Sequence, residues 1–281
     1  MKVKVVTDSN LTLPEEVIRE YDIKVLPLIF IHEGKIYRDG IDITREELYK
    51  LLKDSKEPPT TSACSPGTCF EVFRELVKGG NDVLCITIPA RFSTMYKSAY
   101  VAKDMLEKVI PGKIEVIDSG TALGGQAFLV LEAARMAREG KGIEEIKERI
   151  EKIKGKINLL AVLETLKYLA KGGRVPKISA LAASIFQIKP IFELKPGGEV
   201  KVLGKERNLR KASRRMIDIM GERGERFRVN IAYGENLEEA LWMKEEIERR
   251  FEIPELYLSP VSNVVSVHTG PRIIILSFYP D

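Results

Sequence analysis

Hydroxyl and carboxyl side chains recur directly after short apolar runs of β type: Thr7-Asp8-Ser9 follows residues 2–6, Ser93-Thr94 follows 83–88, and Asp118-Ser119 follows 114–117. In an open α/β sheet, ligands sit outside the carboxyl ends of parallel strands, so three such ends would gather these groups at one edge. A serine or threonine hydroxyl donates readily to an oxyanion, and a helix beginning at Ser93 would add free backbone N–H groups and the positive end of its dipole. A further cluster, Thr60-Thr61-Ser62, lies between Pro58-Pro59 and Pro66. Proline restricts its own φ and the residue before it, which suggests a rigid loop between two helices that presents these donors. One of the two histidines, His268, stands between an apolar run and the turn Gly270-Pro271-Arg272. Two chemistries suit this set. Ser93, His268 and Asp8 are the residue types of a Ser-His-Asp nucleophile, which would make the chain an acyl hydrolase or acyltransferase. The same hydroxyls, with the free N–H groups of a helix start, instead favour a bound anion. Helix capping accounts for any one of these hydroxyls, and their shared edge is what favours a ligand.

Other chemistries find no support in the residues. The sequence contains no G-x-x-x-x-G-K-[ST], G-x-G-x-x-G, G-x-S-x-G or H-E-x-x-H segment, so ATP binding at a phosphate loop is not expected. Cys64, Cys69 and Cys85 form no disulfide framework, and no second Cys/His pair completes a metal site around the first two, so neither metal nor cofactor is expected. The length of 281 residues, 44% of them hydrophobic and 31% charged, suits a globular chain of two domains. Charges break every apolar run well short of the roughly 18 residues of a membrane span. The opening Met-Lys-Val-Lys lacks signal-peptide anatomy, and with the cysteine usage this leads us to expect a cytoplasmic protein. The net charge of +4 is uneven, with ten basic and four acidic residues from Lys201 to Arg228. That run has no aromatics but Phe227 and no DNA-binding motif, so it reads as a solvated face or a dock for an acidic partner, not a nucleic-acid surface.

The elements that must position these groups follow from periodicity and caps. Strands are expected at 2–6, at 23–31 as one element, at 83–88 and at 114–117. Helices are expected from a Thr12/Glu15 capping box, from a Thr44/Glu47 box, from Ser65-Pro66, and over 94–108 and 125–139. This is the pattern of an N-terminal, doubly wound, mostly parallel Rossmann-like domain over residues 1–156. Beyond the charged helix 144–154 come a strand at 157–163, helices near 166–171 and 178–187, and a hairpin of 191–194 with 200–203. A β-α-β unit then runs through 227–233, 237–251 and 255–258, and 264–268 with 272–278 reads as a closing hairpin. In the helix of that unit, Leu237, Ala240, Leu241, Ile247 and Phe251 form the expected apolar stripe. The second half is therefore a C-terminal α/β domain with a mixed sheet, residues 157–281.

Taken in order, Thr7-Asp8-Ser9, Thr61-Ser62, Ser93 with Tyr96 and Ser98-Ala99, Asp118-Ser119, Thr165-Leu166-Lys167-Tyr168-Leu169 running into Lys171-Gly172-Gly173-Arg174, the basic run around Arg207 and Lys211, and His268-Thr269-Gly270-Pro271 span nearly the whole chain. This ordered set resembles the DegV family, bacterial two-domain proteins that bind fatty acids and include the fatty-acid-binding subunits of fatty acid kinase. The resemblance implies a long-chain fatty acid such as palmitate, stearate or oleate in a tunnel between the domains, its carboxylate held by Thr61, Ser93 and His268. Asp8, Ser62, Thr94, Asp118, Ser119, Thr269, Gly270 and Arg272 would stand behind those contacts. Ala182, Ile185 and Phe186 would line the tunnel. The chain itself would be non-catalytic, and an ATP-dependent kinase protein, docking near Arg174, Arg207 and Lys211, would phosphorylate the carboxylate. The sequence departs from the family's pattern at Thr94-Met95, where Gly-Thr is usual, at Ala63-Cys64, where Gln-Pro is common, and at Arg272, where glycine is usual.

Overall fold

A computed structural model describes residues 2–55, 57–175 and 188–281. Strands β1 (Val3–Asp8), β2 (Lys24–Leu26), β6 (Asp82–Thr87) and β7 (Ile114–Asp118) form a parallel sheet in the order β2-β1-β6-β7. Strands β1 and β6 are apolar on both faces, as helices on either side require. Val6, Val83 and Cys85 share a core with α3 (Pro66–Lys78) and α4 (Met95–Glu107), whereas Val3, Val5, Leu84 and Ile86 share one with α5 (Leu123–Arg138) and α6 (Ile143–Lys154).

A second sheet has the order β10-β9-β8-β13-β11-β12. Its strands are β8 (Asn158–Leu163), β9 (Lys189–Leu194), β10 (Val200–Glu206), β11 (Arg226–Tyr233), β12 (Glu252–Pro260) and β13 (Ile273–Pro280). Only β11 and β12 run parallel, so this sheet is mixed. One face is covered by α8 (Leu209–Gly221) and α9 (Leu237–Arg250) around Met216, Met220, Met243 and Ile247. The other face meets α5, which is buried nearly all round because it lies between the two sheets. Gly124 permits that approach, since a Cβ there would come within 2.5 Å of Asn230 Oδ1. The architecture is the expected α/β fold with one parallel and one mixed sheet. Among the described residues no helix is long and apolar enough to cross a membrane.

Local readings were overturned where distant contacts intervene. Residues 23–31 are not one strand: Pro27, which has no N–H to give a ladder, separates β2 from β3 (Ile29–His32). With β4 (Lys35–Arg38) and β5 (Thr60–Ser62), β3 makes a small antiparallel sheet. The segment read as a rigid loop thus contains a strand, with Thr61 opposite Phe30. Thr12 caps nothing: α1 (Glu15–Glu20) starts after Pro14, and Thr12 Oγ1 donates to Asn230 Oδ1 at 3.0 Å. The Thr44 box at the start of α2 (Arg45–Asp54) and the Ser65 cap do form. Cys64 and Cys69 occupy the N′ and N4 positions of α3 with sulfurs 3.4 Å apart, an apolar staple across the helix start. In α9 the buried residues are Glu239, Ala240, Met243 and Ile247, while Leu237 and Leu241 are 42% and 43% exposed. The largest correction concerns residues 264–268, which belong to α10 (Asn263–Thr269) and not to a hairpin strand. Val264 and Val267, one turn apart, bury on the same core, so packing overrides their β preference. The helix expected at 178–187, with Ala182, Ile185 and Phe186, lies outside the described residues.

Candidate functional site

The mixed sheet supplies an apolar wall through pleat periodicity, with Leu159, Ala161 and Leu163 on β8, Phe192 and Leu194 on β9, and Ile273 and Ile275 on β13 all facing one cavity. The opposite wall is polar in part. It is made by residues beyond the carboxyl ends of β1 and β6, by β5 and by α10. The cavity holds about 510 Å³. Its polar lining comprises Asn10, Thr61, Ser62, Ser93, Thr94, His268 and Thr269, with Arg91 and Arg174.

Thr61 and His268 come from opposite ends of the chain and meet: Thr61 Oγ1 and His268 Nε2 are 2.7 Å apart in a hydrogen bond that either atom can donate. Burial, helped by the positive charge of Arg174, lowers the imidazole from 6.5 to about 4, so the ring is neutral at pH 7. Among the described residues its Nδ1 has no hydrogen-bond partner. Ser93 Oγ accepts from the Met95 backbone N–H at 3.2 Å, which leaves the Ser93 proton free to donate into the cavity. The residue at the N-cap of α4 is Thr94, with no side-chain cap bond, one position later than expected.

The supporting aspartates act through backbone. Asp8, fully buried at the end of β1, accepts from Ile88 N at 2.7 Å and from Asn10 N at 3.1 Å. Desolvation raises its carboxyl from 3.8 to about 6 even though the donors oppose it. Asp118 accepts from Ala90 N at 3.0 Å and Gly120 N at 2.8 Å, and the Ser119 hydroxyl donates to Thr121 O. Asp8 and Asp118 thus grip the loop that carries Ser93 at two points without lining the cavity. Ser93, His268 and Asp8 form no catalytic relay here: the imidazole bonds to Thr61, and Asp8 bonds to Ile88, Asn10 and Gln126.

The two motif blocks that stood apart in sequence interlock. A Cβ on Gly172, at the end of α7 (Lys167–Gly172), would lie 2.4 Å from His268 Nδ1, and one on Gly270 would lie 2.4 Å from Tyr168 Cδ2. Only bare backbone lets α7 and α10 pack this closely. Gly270 therefore shapes the site without lining it. Arg272 is a correction: its guanidinium pairs with Glu164 Oε2 at 2.8 Å, half exposed and outside the cavity wall. Arg174 is in the wall, whereas Arg207 and Lys211 are exposed beside the start of α8 and outside the lining. Asn10 and Arg91 were missed in sequence, and β8, β9 and β13, expected as strands, were not read as a cavity wall. Arg91 could have been found in the same strand-end loop as Ser93, and the wall from the alternation at 159, 161 and 163.

Comparisons with known proteins agree on one group. The family model described as an uncharacterised protein of the DegV family matches residues 2–281. A DegV domain-containing protein of Caldanaerobacter subterraneus is 38% identical over 273 residues, covering 96% of this chain and 96% of that protein. A DegV family protein from Thermus thermophilus, described by its fatty acid binding, superposes with a TM-score of 0.92 at 27% identity over 100% of both chains. A stearic acid-binding protein from Eubacterium ventriosum gives 0.90 at 30% identity, over 99% of this chain and 98% of the other.

Proposed function

The chain belongs to the DegV family, and from that premise we propose that it binds a long-chain fatty acid with the tail in the 510 Å³ cavity and the carboxylate at Thr61 and Ser93. The observation that carries this reading is the pairing of a long apolar wall with two hydroxyls, Thr61 and Ser93, in the lining of one cavity. With the ring proton on Nε2, His268 donates to Thr61 Oγ1, as Met95 N–H donates to Ser93 Oγ. Both hydroxyl protons are then free for one carboxylate, and the neutral His268 orients Thr61. Without such donors a partly buried carboxylate would cost several kcal/mol. Each buried methylene contributes about 0.8 kcal/mol, so a tail of about 15 grosses about 12 kcal/mol before ordering costs. The tail gives affinity and the hydroxyls give orientation. The solved relatives that bind fatty acid, one of them stearic acid, support the ligand class.

As a binding protein without its own chemistry, the chain would present its carboxylate in the cytoplasm to an ATP-dependent kinase partner, which converts it to an acyl phosphate. The test is a titration of delipidated protein with stearate and with the alcohol of the same chain length. Tight binding of stearate, with weaker binding of the alcohol, is expected. Absence of binding to either overturns the proposal.

A further inference from the structure

Helix α10 carries Val264, Val265, His268 and Thr269 into the cavity, yet it is only seven residues long and has no side-chain cap of its own. Its free N-terminal N–H groups need an acceptor. Asp39, in the segment after β4, supplies one: Oδ1 accepts from Asn263 N at 2.9 Å. The other oxygen accepts from Ser9 Oγ at 2.6 Å, and Ser9 Oγ in turn accepts from Leu28 N at 3.1 Å. Asn263 Nδ2 adds a second tie, donating to Ile43 O at 3.1 Å. Asp39 is 4% exposed, and among the described residues it makes no ion pair. A carboxylate with no cation beside it is costly to bury, and donors at a helix N-terminus are among the few groups that offset the cost.

We infer that Asp39 is a positioning residue for head-group recognition: by clamping the start of α10 it sets where His268 presents Nε2 to Thr61, some five residues or about 7–8 Å further along the helix. This rests on the reading of Thr61 and His268 as the carboxylate end. Asp39 is not in the lining of the cavity that holds Thr61, Ser93 and His268. Its hydrogen bond to the helix is made to backbone, so the clamp joins the strand-end turn at Ser9 to the helix that bears the imidazole.

The test uses Asp39→Asn, which keeps size but puts an amide where the carboxylate receives its donors, and Ser9→Ala, which removes only the hydroxyl behind it. Two readouts are needed. The first is the ratio of stearate to alcohol affinity. The second is the titration of the His268 ring in ligand-free protein, followed by NMR; His32 is the only other histidine and is assigned with His32→Gln. Asp39→Asn is expected to lower stearate affinity about tenfold while the alcohol stays within twofold, and to move the His268 titration toward its ordinary value. Ser9→Ala should shift both readouts in the same direction by less, and it carries the test if Asp39→Asn does not fold. An unmoved His268 titration, or equal losses for acid and alcohol, overturns the inference. If the wild type binds no stearate, the fatty-acid reading fails, and the ring titration still decides the role of Asp39.

Discussion

At the scale of single residues, the candidate site depends on which groups stay neutral. His268 is lowered to about 4 from 6.5, so between these values the unfolded chain binds a proton that the native ring refuses. Its contribution to stability is present above pH 6.5 and drains away as the pH falls to 4. Asp8, raised from 3.8 to about 6, has the opposite sign: the native carboxyl holds its proton longer, so its contribution falls as the pH rises through that window. Asp39, also raised by burial, adds to the sign of Asp8. The opposed slopes partly cancel in the wild type. Urea unfolding should therefore show His268→Gln gaining on the wild type by about 3 kcal/mol from pH 7 to pH 4, since each pH unit between the native and unfolded titrations is worth about 1.4 kcal/mol. Parallel stability curves would contradict a buried, neutral imidazole. Thr61→Val and Ser93→Ala each remove one donor to a charged group, worth about 1.5–3 kcal/mol, so stearate affinity should fall roughly 10- to 100-fold by calorimetry with the alcohol little changed. The hydroxyl-rich strand ends were legible beside their apolar runs, whereas Thr61, Ser93 and His268 were grouped only by the family resemblance, and the structure brings Thr61 and His268 into contact. Arg272 could not be assigned between the head group and solvent because sequence does not show that Glu164 stands next to it.

At the scale of elements, the site is a joint between α7 and α10 as much as a set of side chains. Gly172→Ala would drive a methyl into the His268 ring, whereas Gly173→Ala meets no neighbour within 4 Å but must hold φ at +67°. The first should erode the preference for acid over alcohol at a cost of about 1–3 kcal/mol from overpacking. The second should cost stability alone, which a denaturation series run beside the binding assay separates. Local signals sufficed where an element uses its own residues, as in the Thr44 box and the Ser65 cap. They failed where a partner far along the chain takes over. Thr12 looks like a cap but serves Asn230, and the valines of α10 look like a strand but bury as one face of a helix. The cap of α10 was invisible for the same reason: its acceptor, Asp39, stands 224 positions away in sequence.

At the scale of the whole molecule, the alternation of short strands and amphipathic helices was enough to read one parallel and one mixed sheet, because each sheet type imposes its own pattern on its strands. What the pattern did not disclose is that α5 is shared between the sheets, or that the cavity takes its wall from one sheet and its polar end from the loops of the other. A ligand spanning that cavity binds the native state alone. At a hundredfold excess over Kd it should add about 2.7 kcal/mol, which for a chain of this size raises Tm by roughly 4–6 °C. The most direct measurement is a crystal structure of the delipidated protein soaked with stearate. The carboxylate oxygens should lie within hydrogen-bonding distance of Thr61 Oγ1 and Ser93 Oγ, with continuous chain density running along Leu163, Phe192 and Ile275. An empty cavity, or a chain whose carboxylate lies away from both hydroxyls, would contradict a head group held by Thr61 and Ser93.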